Sequence, residues 1–418
     1  MGLDSSTRHP SRRGVLHSAA IPLFVLSGIA AAQTPATRPK LRNGFAEAQR
    51  NTGVVPGLNL RAKPKVLWKY APAGSWFSRV VTFDGVVIAL DRATGIHALD
   101  VATGKVLWKI ERKKSLNYGF GLALTRSVDF DALLVSCDTG LFAVERKTGK
   151  VLWETKIPKG VAGPTCTKAS VFAGGADGKL YACDVRTGRL RWTHDYLADR
   201  PEDPEGFDGA QARLGEERPA RPTSAATDGT TVFLSVFDQC RTIAVDAATG
   251  KRRWSFQSKG WMSARPTVGD RDVYVGSQDQ HFYALDKNHG TVSWKIKTGS
   301  RNEAAAAATK KLVLFGSCDG MVYAADRALG SIVWRFQTRE GGAAIYSRPI
   351  VSRDTVYGAT LNGTLYAIEL RSGKRLWKFE PLADSFINSD LESDASRLFL
   401  TTRGRGNKGE SAVLAIGH

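Results

Sequence analysis

One pattern, small-Asp/Glu-x-x-x-Gly-x-x-x-Trp, returns along most of the chain and constrains its fold more than any other feature. The copies are "ALDVATGKVLW" ending at Trp108, "AVERKTGKVLW" at Trp153, "ACDVRTGRLRW" at Trp192, "AVDAATGKRRW" at Trp254, "ALDKNHGTVSW" at Trp294, "AADRALGSIVW" at Trp334 and "AIELRSGKRLW" at Trp377. An eighth tryptophan, Trp68 in "PKVLWKY", has the tail of the motif without its head. Successive tryptophans lie 40, 45, 39, 62, 40, 40 and 43 residues apart. A spacing of about 40 residues is the length of a four-stranded sheet with tight turns. Each interval therefore reads as one blade of a β-propeller, although 418 residues alone would admit two or three domains.

Within one interval the strands are visible. Between Trp254 and Trp294 the runs "ARPTV", "DVYVGS", "HFYALD" and "TVSWKIK" are short, apolar or alternating, and separated by Gly, Asp or Asn. In the hairpin joining the third and fourth strands, Asp and Thr are expected to bond local backbone donors and Gly to take the positive φ of the turn. The motif tryptophan buries its ring between neighbouring blades, a structural duty rather than a ligand-binding one. Residues 304–308 are all alanine, which favours helix locally, but their register assigns them to a first strand.

The head missing before Trp68 is found at the other end, where "AVLAIGH" ending at His418 matches the strand that precedes the motif acid elsewhere. The last blade is thus expected to be shared between the two ends of the chain. That pairing closes the ring and removes a free sheet edge. The fold class expected is all-β, an eight-bladed β-propeller of four-stranded antiparallel blades spanning residues 61–418.

The remaining segments fall outside the repeat. The 62-residue interval holds a Pro-, Asp- and Glu-rich insertion at 195–222, which reads as a solvated excursion or as a lid over a basic face. Residues 33–60 read as a linker. Residues 1–32 read as an export signal, with Arg12-Arg13, an apolar stretch and Ala30-Ala31-Ala32 before Gln33. The paired arginines resemble a twin-arginine signal with Val15 where Phe is usual, so Tat export is expected and the general secretory route stays open. The stretch is interrupted by His17, Ser18 and Pro22 and is too short to span a membrane. A periplasmic or otherwise extracytoplasmic, monomeric product is expected. Its formal charge is +19 for the whole chain, and Arg8, Arg12 and Arg13 against Asp4 leave +17 without the signal. That balance favours a protein or anionic polymer partner, and no nucleic acid is expected after export.

Cysteine usage gives little chemistry. The five cysteines, 137, 166, 183, 240 and 318, are odd in number and form no CxxC. Cys137 and Cys318 occupy equivalent positions in blades too far apart to bridge, whereas Cys166 and Cys183 share a repeat and could pair. No GxSxG, HExxH or phosphate-binding loop occurs.

These repeats resemble the pyrroloquinoline-quinone (PQQ) type propeller family over residues 61–418. The resemblance implies one of two roles. Quinoprotein dehydrogenases oxidise alcohols or aldoses with PQQ and calcium, whereas BamB-like propellers bind protein partners. The dehydrogenase reading implies a catalytic Asp, calcium ligands and often a vicinal Cys-Cys, and no Cys-Cys occurs here. Its available candidates for PQQ and calcium are Glu303, Asn388 and Asp390, acidic or amide groups in loops entering first strands. No cofactor is firmly expected.

The scaffold reading has its own residues. Aligned repeats place Arg79, Arg221, Arg265 and Arg348 at the start of first strands, where equivalent positions converge around the axis. Just upstream lie Trp76 and Phe77, Trp261 and Tyr346, with Phe386 in the next loop. Arginine beside tryptophan and tyrosine off the repeat position is the composition of an interface anchor. The plainer alternative is that each Arg pairs with an Asp of a neighbouring turn. The sequence therefore favours an exported, non-catalytic, BamB-like scaffold in fold. A small PQQ- and calcium-dependent dehydrogenase and a polysaccharide-binding propeller are the alternatives.

Overall fold

The turn between third and fourth strands forms as its residues dictate. In blade 1, residues 77–111, Asp100 Oδ1 accepts from the backbone N–H of Ala102 at 3.2 Å and of Thr103 at 2.8 Å, and from the Thr103 hydroxyl at 2.7 Å. Asp184 and Asp246 repeat all three bonds, and Asp286 and Asp326 keep the two backbone ones. The glycine that follows serves two purposes. Gly104 has φ +71°, and a Cβ built on it would lie 2.6 Å from Cε3 of Trp68 in the preceding blade. Gly290 repeats this against Trp254 with φ +73° and the same 2.6 Å. The turn residue thus makes room for the neighbour's indole as well as bending the chain.

Each motif indole then donates to the next blade's turn. Trp68 Nε1 reaches the Val101 carbonyl at 3.1 Å, Trp108 reaches Arg146 at 2.8 Å, and Trp254 reaches Lys287 at 2.8 Å. The acceptor is always the residue after the motif acid, from Trp68 through Trp334. A donor-only indole N–H buried between sheets needs such a partner, so the hydrogen bond fixes the rotation of one blade on the next.

The computed structural model describes residues 52–418 apart from 56, 112–123, 127–129, 199–219, 339–342, 388 and 406–409. Residues 1–32, expected to be an export signal, most of the expected linker and the body of the 195–222 insertion lie outside the described residues. Seven four-stranded antiparallel sheets follow one another along the chain, at residues 77–111, 124–156, 165–195, 226–257, 267–297, 307–337 and 350–379. The eighth joins Leu398–Gly404 and Ala412–Gly417 to Lys65–Tyr70, with Lys65 opposite Gly417 and Trp68 opposite Ala415. The eight-bladed ring and its closure by both ends of the chain are as expected, and Ala307–Ala308 is a first strand.

There is no single core. Eight apolar clusters each lie between two adjacent blades. The Phe282 and Phe315 rings, for example, stack across blades 5 and 6 with centroids 3.8 Å apart. The ring is held by blade-to-blade burial, so every blade depends on its neighbours.

Two expectations require correction. Residues 52–60 are not the end of a linker. Val54 bridges Val351 in parallel, Ala308 N–H donates to the Thr52 carbonyl at 2.7 Å, and Leu58 and Leu60 are fully buried. This strap lies across the first strands of blades 6 and 7 before reaching the outer edge of blade 7. Cys166 and Cys183 do not pair, because both face Val171 from opposite sides, one strand away in each direction. All five cysteines are free thiols.

Candidate functional site at the axial mouth

In every blade, the loop that enters the first strand and the turn between second and third strands emerge on one face, because the strands alternate in direction. Backbone bonds tie the two together. Arg92 N–H donates to the Trp76 carbonyl at 2.9 Å, Gln278 to Trp261 at 2.9 Å, and Arg405 to Asp384 at 2.9 Å. Trp76, Trp261, Tyr346 and Phe386 all lie on this entry face, and all four are half-buried.

The aromatics carry arginines that the sequence does not connect with them. Two guanidinia approach the Trp76 ring, Arg403 at 4.3 Å from its centroid and Arg92 at 5.1 Å. Exposed Arg405 caps Phe386 at 4.7 Å. Exposed Arg301 donates to the Tyr346 hydroxyl at 2.9 Å. Trp261 packs against Phe237 with centroids 4.8 Å apart and ring planes tilted by 40°, and Arg221 covers Phe237 at 4.4 Å. Arg92, Arg403, Arg405 and Phe237 come from second strands or the turns after them, outside the aligned first-strand position, so repeat register gave no signal for them. The Trp261 indole Nε1 is buried with no acceptor among the described residues.

Pairing registers sort the four expected axial arginines into three and one. Thr267 and Ile350 are the first residues of their strands and pair with Tyr274 and Tyr357, and Arg265 and Arg348 stand two residues earlier. Arg79 stands two before Val81, the equivalent residue of blade 1, and Asp390 two before Glu392 in blade 8. In blade 4 the corresponding strand begins at Ala226, so Ser224 holds that position and Arg221 lies three residues further out. The shared Arg-Pro dipeptide concealed this offset. Arg221 therefore covers the aromatic pair instead of joining the axis.

The three aligned arginines meet one carboxylate. Asp390 Oδ2 receives Arg265 Nη2 at 2.7 Å and Arg79 Nη2 at 3.2 Å, and its Oδ1 receives the Arg348 backbone N–H at 3.0 Å. Arg348 Nη2 is 3.8 Å from Glu392 Oε1. Burial opposes the charge on Asp390, but the guanidinia of Arg265, Arg79 and Arg348 outweigh it and hold the carboxyl well below its ordinary range. Burial, with repulsion from Arg79 and Arg348, pushes Arg265 down to about 9.

A dication finds little here. Asp390 is already shared by arginines. Glu303 accepts from Arg301 at 2.6 Å and from Gln278 at 3.0 Å, with burial raising its pKa against the pull of Arg301. Asn388 lies outside the described residues. Among the described residues no group of three or more His, Cys, Asp or Glu gathers to hold a metal. The donor set does not fit calcium, since a cation placed at Asp390 would meet three guanidinia.

A family profile described as outer membrane protein assembly factor BamB matches residues 60–195 and 176–406. The chain belongs to this PQQ-type propeller family. BamB of Yersinia pestis is 26% identical over 251 residues, 57% of this chain and 60% of that protein. Lupanine 17-hydroxylase [cytochrome c] of a Pseudomonas species is 27% identical over 152 residues, 33% of this chain and 20% of that enzyme. The chain thus spans about a fifth to three fifths of these relatives. Among solved structures, BamB from Moraxella catarrhalis superposes with TM-score 0.64 at 15% identity, covering 85% of this chain and all of that one. A europium-containing methanol dehydrogenase gives 0.67 at 12% identity, covering 88% and 96%. The fold is thus shared with both an assembly factor and a dehydrogenase.

Proposed function

We propose that this protein is a non-catalytic scaffold of the cell envelope, which holds a protein partner of the outer-membrane assembly machinery against its entry face. The observation that carries the reading is the set of half-buried aromatics, each engaged by an arginine, at Trp76, Trp261, Tyr346 and Phe386. None lies on the repeat position, so blade docking does not require them. Rigid aromatics and arginines are the residues that anchor interfaces at low entropic cost. The match to BamB supports this class of partner, and the arginine-saturated carboxylates argue against a calcium-held quinone.

The test is co-purification from detergent-solubilised envelopes with outer-membrane assembly proteins, comparing the wild type with the Trp76→Ala/Trp261→Ala pair. Retention by the wild type and loss in the pair, with unchanged thermal unfolding, is expected. Calorimetric titration with PQQ and calcium supplies the opposing outcome. Calcium-dependent micromolar binding, with dye reduction by alcohols or sugars, would overturn the scaffold reading in favour of a dehydrogenase.

A further inference from the structure

The axial cluster is over-supplied with positive charge for the carboxylates it contains. Among the described residues, three guanidinia, from Arg79, Arg265 and Arg348, face Asp390 and Glu392, which leaves one unit of positive charge inside a ring of β-sheet. The hydrogen bonds are also incomplete. Arginine and carboxylate prefer a two-pronged fork, yet Arg79 and Arg265 each give Asp390 a single N–H, both to the same oxygen. Arg79 Nε is buried with no acceptor among the described residues. Asp390 cannot satisfy both forks, because two forks would use all of its roughly four acceptor sites and the Arg348 backbone N–H already holds one.

A cluster built only for stability would match charges and fill forks, since unpaired buried donors are costly. Here the three arginines come from blades 1, 5 and 7, at one equivalent position, and the acid from blade 8 at the same position. The repeat has thus brought a convergent donor set to the axis and supplied one internal carboxylate that half-occupies it.

We propose that this cluster is a binding site for a carboxylate group entering from the entry face, with Asp390 as the internal group it competes with. The residual charge matches one carboxylate group, such as one end of a diacid whose other end stays in solvent, better than a phosphate dianion. The carboxylate can be borne by a small free acid or by an acidic residue of an extended polypeptide. The second source rests on the partner reading above, whereas the site itself does not.

The probe is succinate, titrated by calorimetry and thermal shift with sodium chloride matching its ionic strength. Saturable binding to the wild type is expected. Arg265→Gln should weaken it at least tenfold, while Arg253→Gln, at a blade-rim ion pair with Asp246, should leave it unchanged. Should Arg265→Gln fail to fold, Arg79→Lys keeps the charge, loses the fork and should weaken binding severalfold. Asp390→Asn should bind succinate at least threefold more tightly, because the competing carboxylate is gone.

A wild-type response no greater than that to chloride would overturn the proposal. So would tighter binding of inorganic phosphate than of succinate, or no gain in Asp390→Asn. A blocked peptide, acetyl-Tyr-Gly-Asp-Gly-Tyr-amide, against its Asn analogue identifies the source. Preference for the Asp peptide assigns the site to a polypeptide carboxylate, and succinate binding without that preference assigns it to a free acid. Succinate binding together with failed co-purification would leave the site standing and remove the partner reading alone.

Discussion

The indole Nε1 of Trp377 donates to the carbonyl of Leu60 at 2.6 Å, across 317 residues of chain. In the other seven blades the equivalent indole bonds to the turn between third and fourth strands of the next blade. Blade 8 has no such turn, because its third strand, Ala412–Gly417, and its fourth, Lys65–Tyr70, are not consecutive in the chain. The strap takes the place of the turn. Leu60 N–H donates in addition to the Tyr357 hydroxyl oxygen at 2.9 Å, and Leu58 and Leu60 join the cluster between blades 7 and 8. Replacing both leucines by alanine should cost on the order of 4 kcal/mol or more, from about 2–5 kcal/mol for each buried Leu→Ala. Urea unfolding of the double variant checks this, and an unchanged midpoint would show that the strap is dispensable.

The opposite end of the same blade supplies a second test. Residues 412–417 are fully buried strand, paired on one side with Leu398–Gly404 and on the other with Lys65–Tyr70. Deleting residues 412–418 leaves two sheet edges open and removes the partner strand of Trp68. Thermal unfolding should shift downward by many degrees and lose cooperativity, and an unchanged melting temperature would contradict closure by the two ends.

Architecture was legible in the sequence because one residue pattern performs one mechanical task in every blade. The acid-to-glycine turn and the tryptophan recur at fixed offsets, so local chemistry and global fold agree. The strap was not legible, since "VVPGLNL" belongs to no repeat and its role exists only once the ring has a turn to replace. At the mouth, Arg79, Arg265 and Arg348 were found by register. Arg221 was misplaced by three residues because "RPT" recurs in a blade whose first strand starts later. Asp390 appeared as a possible metal ligand, and nothing in one dimension tells that three arginines from other blades converge on it.

Glycine in the turn permits a separation of two effects. Gly290 has positive φ and faces Trp254 at 2.6 Å, whereas Gly229 has φ +101° and no heavy atom within 4 Å of the place a methyl group would occupy. Alanine at Gly229 incurs backbone strain alone, about 1–2 kcal/mol. Alanine at Gly290 adds a clash with the indole and should cost roughly 2 kcal/mol more, in the range of overpacked cores. Chemical denaturation of the two variants side by side measures the difference, and equal costs would mean that the indole moves aside freely.

Acid sensitivity should originate at the joint between blades 8 and 1. His97 is 2% exposed and lies in a chain of hydrogen bonds. Thr94 Oγ1 donates to Asp91 at 2.5 Å and meets His97 Nε2 at 2.8 Å, while the Tyr70 hydroxyl meets His97 Nδ1 at 3.0 Å. With the Thr94 proton committed to Asp91, Nε2 carries the imidazole hydrogen and Nδ1 accepts from Tyr70, an arrangement that suits the neutral ring. Burial, reinforced by Lys109 and opposed by Asp91, pushes the pKa down from 6.5 to about 4. The unfolded chain therefore binds a proton at a higher pH than the folded one. Stability is unaffected by this group above about pH 7 and falls as pH drops from 6.5 towards 4, by roughly 3 kcal/mol at most. Asp390, whose pKa is lowered, keeps its stabilising contribution above the ordinary carboxylate range near pH 4 and loses it mainly below that, so the two windows separate. Urea midpoints at pH 7.5 and 4.5 should differ clearly in the wild type and much less in His97→Gln, and an equal difference in both would place the acid sensitivity elsewhere.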